Sequence, residues 1–176
     1  MKIYISASWK NRACVRKLAT VLRDAGHEVY DFTDPRCRRT SELPPEKFPE
    51  KFDPDRHNYR DYLENQPAFR SAVEGNRQAI EWCDLVILLL PCGIDATADW
   101  ALGVGLGKQS VIVGHPPAGE RSPVHLWADA LLDNLAEILP WIGGLVMEVT
   151  LHECVQAIEE ALKTHGEYTY YDKAPR

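Results

Sequence analysis

The alternation of apolar and polar residues along the chain predicts a series of strands separated by helices. Six apolar residues without a polar break, Leu85 to Leu90, predict a strand that is buried on both faces, as in the middle of a parallel sheet. The β-rich segments Lys2 to Ser6 and His27 to Phe32 predict two earlier strands. Ser110 to Gly114 predicts a fourth strand, and Val124 to Ala128 is expected to form a short fifth one.

Apolar residues three and four positions apart predict helices between these strands. The predicted helices span residues 11–25, 56–64, 67–83, about 96–106, 129–139 and 150–164. Ser8 or Asn11 can cap the first of them. Asp95 or Thr97 can cap the fourth, which places Asp99 in or near its first turn.

Strands that alternate with helices are typical of a parallel sheet covered on both faces. We therefore predict one three-layer α/β domain of the Rossmann-like (flavodoxin-like) type over residues 1–165, followed by a tail at 166–176. The favoured sheet is mainly parallel and five-stranded, in the order 2-1-3-4-5. Glycines at positions 103, 105 and 107 are poor helix formers, so they indicate close packing of the fourth helix on the sheet.

A proline-rich segment, residues 33–55, interrupts this pattern after the second strand. Its prolines and scattered charges predict irregular structure. Loops of this length inside a compact domain are usually either functional or disordered. Because the segment leaves the carboxyl end of the second strand, it is a candidate lid over a site at that edge, and a mobile surface loop is the equal alternative.

Composition and charge narrow the classes of function. The 176 residues carry a formal net charge of −6, so duplex nucleic acid is not expected as a partner, because phosphate binding needs a basic face. The apolar runs are too short to cross a bilayer, and the amino terminus enters a strand without a signal peptide, so no membrane association is expected. Five cysteines without metal-binding spacing favour reduced thiols, a cytoplasmic location and no metal site.

Polar residues gather at the predicted carboxyl ends of the first and third strands, the edge at which open parallel sheets bind ligands. They are Tyr4, Ser6 and Ser8 on and after the first strand, and Cys92, Gly93, Asp95 and Asp99 after the third. We take this group as the candidate active site. Cys92 lies beside a helix start, where the pKa of a thiol can be lowered, although no histidine partner is evident for it.

Three blocks of the sequence resemble one family. A Tyr-Ile-Ser sequence at positions 4–6 precedes a helix, Asn76 and Asp84 precede the buried strand, and a Leu-Pro-Cys-Gly sequence follows it at 90–93, leading to Asp99-Trp-Ala-Leu-Gly-Val-Gly-Leu-Gly-Lys108. Together they resemble the nucleoside 2-deoxyribosyltransferase-like superfamily, a relative of TIR-type domains, over roughly residues 2 to 140. That family includes base-exchanging transferases and hydrolases that cleave the N-glycosidic bond of nucleosides or nucleotides.

The resemblance implies a role for each matching position. Asp99 stands where the family usually has a glutamate that attacks the anomeric carbon, and Tyr4 matches a tyrosine that orients this nucleophile. Asn76 stands where the family often has an aspartate that helps to handle the base. The sugar or phosphate shell is matched by Ser6, Ser8 and the Cys92–Gly93 backbone. No cofactor is implied, and the family tends to form homo-oligomers in which a neighbour completes the pocket.

Two tryptophans adjoin the candidate site in the sequence. Trp9 and Trp100 either belong to the core or an interface or stack on a base. Asp95 is a candidate to hold the ligand or to supply a second carboxylate.

The resulting prediction is an enzyme that cleaves or transfers at the N-glycosidic bond of a small-molecule nucleoside or nucleotide, with Asp99 as nucleophile or electrostatic stabiliser. Aspartate is shorter than glutamate by one methylene, and a displacement of about 1 Å at a reacting group can lower the rate roughly 100-fold. Two alternatives stay open: a nucleotide-binding or sensing module without catalysis, and a TIR-like NAD glycohydrolase.

Overall fold

The computed structural model describes residues 1–34, 52–120 and 122–143 of the chain. Its strands are β1 (Lys2–Ala7), β2 (Glu28–Tyr30), β3 (Leu85–Leu89), β4 (Gln109–Val113) and β5 (Ala130–Leu132). Its α-helices are α1 (Arg12–Asp24), α2 (Tyr59–Glu64), α3 (Pro67–Trp82), α4 (Ile94–Gly105) and α5 (Ile138–Gly143). Short 3₁₀ helices among the described residues span Trp9–Asn11, Pro123–Trp127 and Leu135–Glu137.

The five strands form one parallel sheet in the order β2-β1-β3-β4-β5, so the predicted α/β class and strand order are confirmed. Ile3 pairs with Leu85 and Leu89 pairs with Val113, which fixes β3 between β1 and β4. Every residue of β3 is buried, as its unbroken apolar run predicts. The carboxyl ends of β1 and β3 therefore lie side by side near the middle of the sheet.

The two faces of β1 carry different types of side chain. Ile3 and Ile5 are completely buried on one face. Tyr4 and Ser6 point to the other face and hydrogen-bond to residues of α4, which packs across β1, β3 and β4. Because parallel crossovers are right-handed, α1 between β1 and β2 lies on the opposite face from α3 and α4. This alternation directs the polar side chains of β1 towards a single helix.

Helix α4 begins at Ile94, two residues before the predicted start near Ala96. Its cap is Gly93, which supplies no side-chain hydrogen bond, so the expected capping by Asp95 or Thr97 is wrong. Side-chain caps are the signal that a sequence carries, and a glycine cap lacks it. Asp99 consequently lies in the second turn of the helix, next to the predicted first turn.

Close packing of α4 on the sheet depends on one of its glycines. A Cβ atom at Gly103 would lie 2.4 Å from Cγ1 of Val86 in β3, which is closer than such atoms can approach. A Cβ at Gly105 would meet nothing within 4 Å. Gly107 follows the helix with a φ of +73°, a conformation that glycine adopts readily and that ends the helix. The packing role predicted for three glycines therefore holds for Gly103.

The region after β4 differs from the prediction. The expected fifth strand at Val124–Ala128 is wrong, because Pro123–Trp127 form a 3₁₀ helix and the fifth strand is Ala130–Leu132. The helix expected at 129–139 is wrong over most of its length, since α5 begins only at Ile138. A strand of three residues is too short to leave a periodic signal in the sequence.

Several predictions concern residues outside the described ranges. These are most of the loop at 33–55, the helix at 150–164 and the tail at 166–176. Within the part of the chain that the structure describes, no helix is both long enough and apolar enough to cross a membrane.

Candidate active site

Two donors converge on one oxygen of Asp99. The Tyr4 hydroxyl donates to Oδ2 at 3.0 Å, and the Asn76 Nδ2 donates to the same oxygen at 2.9 Å. Tyr4 comes from β1 and Asn76 from α3, so three elements meet at this carboxylate. The other oxygen, Oδ1, accepts no hydrogen bond from the described residues. One side of the carboxylate is thereby anchored and the other is available to a ligand.

Stacking in the core fixes the ring of Tyr4. Its ring lies 5.4 Å from that of Tyr30 in β2, with an angle of 18° between the planes. Both rings are almost completely buried. Since aromatic pairs of this kind hold their rings in place, the Tyr4 hydroxyl reaches Asp99 from a fixed direction.

The environment of Asp99 raises the pKa of its carboxyl group from 3.8 to about 6. Burial is the main cause, because a half-buried carboxylate loses hydration that its charged form needs. The hydrogen bonds from Tyr4 and Asn76 act in the opposite direction, and the negative charge of Asp95 raises the pKa further. A carboxyl group that titrates near neutral pH beside specific donors is a frequent property of functional sites.

Two buried polar side chains hold the segment between β3 and Asp99. Ser6 Oγ donates to the carbonyl oxygen of Ala96 at 2.7 Å. Asn11 Nδ2 donates to the carbonyl oxygen of Pro91, also at 2.7 Å. These bonds fasten both ends of the turn that leads from β3 into α4. Sequence reasoning considered Asn11 only as a helix cap and missed this contact, for which the sequence carries no local signal.

Comparison with solved structures gives two similar proteins. A 2-deoxyribosyltransferase from Bacillus psychrosaccharolyticus is similar with a TM-score of 0.51 and 19% sequence identity, over 86% of this chain and 96% of that chain. The protein has the fold of a 2-deoxyribosyltransferase. A CMP N-glycosidase from Clostridium botulinum is similar with a TM-score of 0.45 and 12% identity, over 81% of this chain and 98% of that chain. No protein-family model matches the sequence, and neither does any curated protein. The predicted resemblance is thus confirmed at the level of the fold.

The other predicted residues at this edge of the 2-deoxyribosyltransferase fold have mainly local contacts. Ser8 Oγ accepts a hydrogen bond from the backbone N–H of Lys10 at 3.3 Å. It thereby caps the 3₁₀ helix Trp9–Asn11, which directly precedes α1. Trp9 is half-buried and packs edge-on against Phe32, with 5.1 Å between the ring centres. Gly93 is the cap of α4. Their contacts with a ligand stay predictions.

Cys92 does not have the lowered pKa expected beside a helix start. Burial raises the pKa of its thiol, the nearby Glu120 charge raises it further, and a hydrogen bond with Thr97 opposes them. Loss of hydration on burial is the main cause, so a thiolate at Cys92 is disfavoured.

Trp100 and Asp95 occupy opposite environments. Trp100 is completely buried and contacts His125 edge-on, so the expectation that it stacks on a base is wrong. Asp95 is exposed, one turn before Asp99 on the same helix. It acts on the site through its charge.

A cavity of about 410 Å³ opens along α2 and is lined by residues between 56 and 66. It is formed by none of the predicted site residues. The residues that surround the Asp99 carboxylate and those that line this cavity therefore come from different parts of the chain.

Proposed function

We propose that the protein cleaves or transfers at the N-glycosidic bond of a small-molecule nucleoside or nucleotide. The observation that carries the proposal is the pair of donors, Tyr4 and Asn76, on a single oxygen of Asp99. This arrangement leaves the second oxygen of a partly desolvated carboxylate without a protein partner among the described residues. The fold, which a 2-deoxyribosyltransferase also has, supports the proposal.

In this proposal, Asp99 Oδ1 acts on the anomeric carbon of the sugar. Glycosidic cleavage passes through an oxocarbenium-like state, which a nearby carboxylate stabilises or captures. If it is captured, the bond to the base breaks as the bond to Oδ1 forms, and water or a second base then releases the sugar. Tyr4 is the residue that orients the carboxylate. Ser6, Ser8, Trp9 and the Cys92–Gly93 backbone are the proposed ligand contacts.

The test is to incubate the protein with a mixed panel of nucleosides, deoxynucleotides and NAD and to measure the release of free base by chromatography. We expect one class of substrate to lose its base with the wild-type protein and none with Asp99→Asn. Asp24→Asn is the matched control, since Asp24 is an exposed carboxylate at the end of α1. Equal release by wild type and Asp99→Asn would rule out the assignment.

The same panel separates the proposal from its alternatives. Release of nicotinamide alone would favour a NAD glycohydrolase, and exchange with an added free base would favour a transferase over a hydrolase. A ligand that raises the melting temperature but survives long incubation would favour a nucleotide-binding module without catalysis.

A further inference from the structure

Asn76 lies inside α3 and connects that helix to α4. Its Nδ2 donates to Asp99 Oδ2 at 2.9 Å, across 23 positions of the sequence. The two helices pack against each other, so this hydrogen bond lies at a helix–helix contact. The contact is therefore part of the frame of the site.

The opposite end of the Asn76 amide is unsatisfied. Its Oδ1 is buried and accepts no hydrogen bond from the residues that the structure describes. Buried acceptors normally find a donor, and one without a donor destabilises the folded state. Rotating the amide by half a turn would place this oxygen against the Asp99 carboxylate, which repels it. The observed orientation is consequently set by Asp99, at the expense of Oδ1.

We infer that Asn76 is a positioning residue. It holds the Asp99 carboxylate by Oδ2 of Asp99 and leaves Oδ1 of Asp99 to the ligand. This inference rests on the function proposed for Asp99. It differs from the role implied by the resemblance, in which this position helps to handle the base. Here the only polar contact of the Asn76 side chain among the described residues is with the carboxylate itself.

An amide suits this role and a carboxylate does not. An amide N–H donates to Asp99 without adding charge, and it favours the ionised form of that group. An aspartate at position 76 would place two carboxylates at hydrogen-bond distance, where they repel each other and share a proton. Within the described part of the chain, the other groups that act on Asp99 are the neutral Tyr4 hydroxyl from β1 and the Asp95 carboxylate from its own helix. The neighbouring strand β3 contributes only apolar residues.

The decisive experiment is an NMR titration of the Asp99 carboxyl carbon, assigned by its loss in Asp99→Asn. In Asn76→Asp the two carboxyl groups titrate together, and we expect the upper apparent pKa to exceed that of wild-type Asp99 by about one unit or more. Asn76→Ala removes the donor without adding charge and should raise the pKa by less. It keeps the test decisive if Asn76→Asp fails to fold. An unchanged Asp99 titration in either folded variant would overturn the inference.

Gln78→Glu is the matched control. Gln78 lies on the same helix, and its amide Nε2 donates to the Glu74 carboxylate at 2.8 Å, so the substitution replaces the same type of bond away from Asp99. We expect the Asp99 titration to stay as in wild type. A shift as large as that in Asn76→Asp would mean that any added charge on α3 has this effect, and it would overturn the specific role of Asn76.

Kinetics provide the second readout where base release is observed. A positioning role predicts that Asn76→Ala lowers kcat by the same factor for every base in the panel and leaves KM nearly unchanged. A role in handling the base predicts losses that differ between bases, and that result would overturn the inference. Because the titration needs no substrate, a wild-type protein without activity would refute the proposed function while the titration still decides the role of Asn76.

Discussion

The Tyr4 hydroxyl donates to Asp99 Oδ2 at 3.0 Å, which joins the middle of a central strand to the second turn of a helix 95 positions later. This bond favours the ionised carboxylate. In Tyr4→Phe we expect the pKa of Asp99 to rise and base release at neutral pH to fall by about 10- to 100-fold, the range for a hydrogen bond to a charged group. Tyr59→Phe is the control, because Tyr59 is 61% exposed on α2. Equal pH profiles for wild type and Tyr4→Phe would contradict this role.

The pH dependence of base release should report the ionisation of Asp99. With a pKa of about 6, most of the carboxyl groups are protonated at pH 5 and most are ionised at pH 7. A nucleophilic or stabilising carboxylate must be ionised, so kcat/KM should rise over this interval with a midpoint near 6. The measurement is kcat/KM against pH at constant ionic strength. A midpoint near 4 would indicate that another, unperturbed carboxyl group controls the reaction.

The contribution of Asp99 to folding stability should decrease as the pH rises, whereas kcat/KM should increase. The folded protein binds the Asp99 proton more tightly than the unfolded chain, because the pKa is about 6 against an ordinary value of 3.8. The contribution of Asp99 to the free energy of unfolding is therefore largest below pH 3.8, and it decreases as the pH rises through 6, by up to about 3 kcal/mol.

The Asp99→Asn side chain cannot ionise, so this variant should not lose that part of the free energy of unfolding as the pH rises. Its melting temperature relative to wild type should therefore increase between about pH 4 and pH 7. Thermal melts at four pH values check this expectation, with Asp24→Asn as the exposed control. A difference between Asp99→Asn and wild type that stays constant over the pH range would contradict the raised pKa.

Glutamate at position 99 should impair the protein even though glutamate is usual in the family that it resembles. Tyr4 and Asn76 are placed for the shorter aspartate, at 3.0 and 2.9 Å from Oδ2. Asp99→Glu moves the carboxylate by about 1 Å, and we expect base release to fall roughly 100-fold. The rate of the purified variant checks this. A faster reaction would mean that the two donors adapt to the longer side chain.

Gly103→Ala tests the packing that places α4 on the sheet. The added methyl group would lie 2.4 Å from Cγ1 of Val86, a buried β-branched residue that cannot move aside easily. We expect a loss of about 1–3 kcal/mol in the free energy of unfolding, measured by denaturant titration. Gly105→Ala is the control, because its methyl group meets nothing within 4 Å and alanine favours the helix. Equal stability of the two variants would contradict the packing argument.

The sequence predicts those parts of the fold that have long, regular patterns. The apolar run of β3 and the apolar residues three and four positions apart in α1 are strong signals, and with the rule for crossovers they favour the strand order that the structure shows. The start of α4 and the position of β5 depend on a glycine cap and on a three-residue strand, which leave weak patterns.

The sequence places Tyr4 and Asp99 at the same edge of the sheet, and the structure brings these two residues into contact. The carboxyl ends of β1 and β3, together with the resemblance, indicate Tyr4 and Asp99. The contact of Asn76 with Asp99 was not predictable, because it depends on how α3 packs beside α4. The contact of Asn11 with Pro91 joins positions 80 apart and likewise requires the folded structure.

The central position of β1 has a consequence for the order of folding. Its residues pair with β2 on one edge, at Ile3 and Val29, and with β3 on the other, at Ile3 and Leu85. On the ribosome, β1 and β2 emerge long before β3, so one edge of β1 stays open until more than fifty further residues have been synthesised after Val29. Tyr4 and Ser6 likewise can contact their partners on α4 only after that helix has been synthesised. The candidate site therefore cannot form until β3 and α4 have both been synthesised.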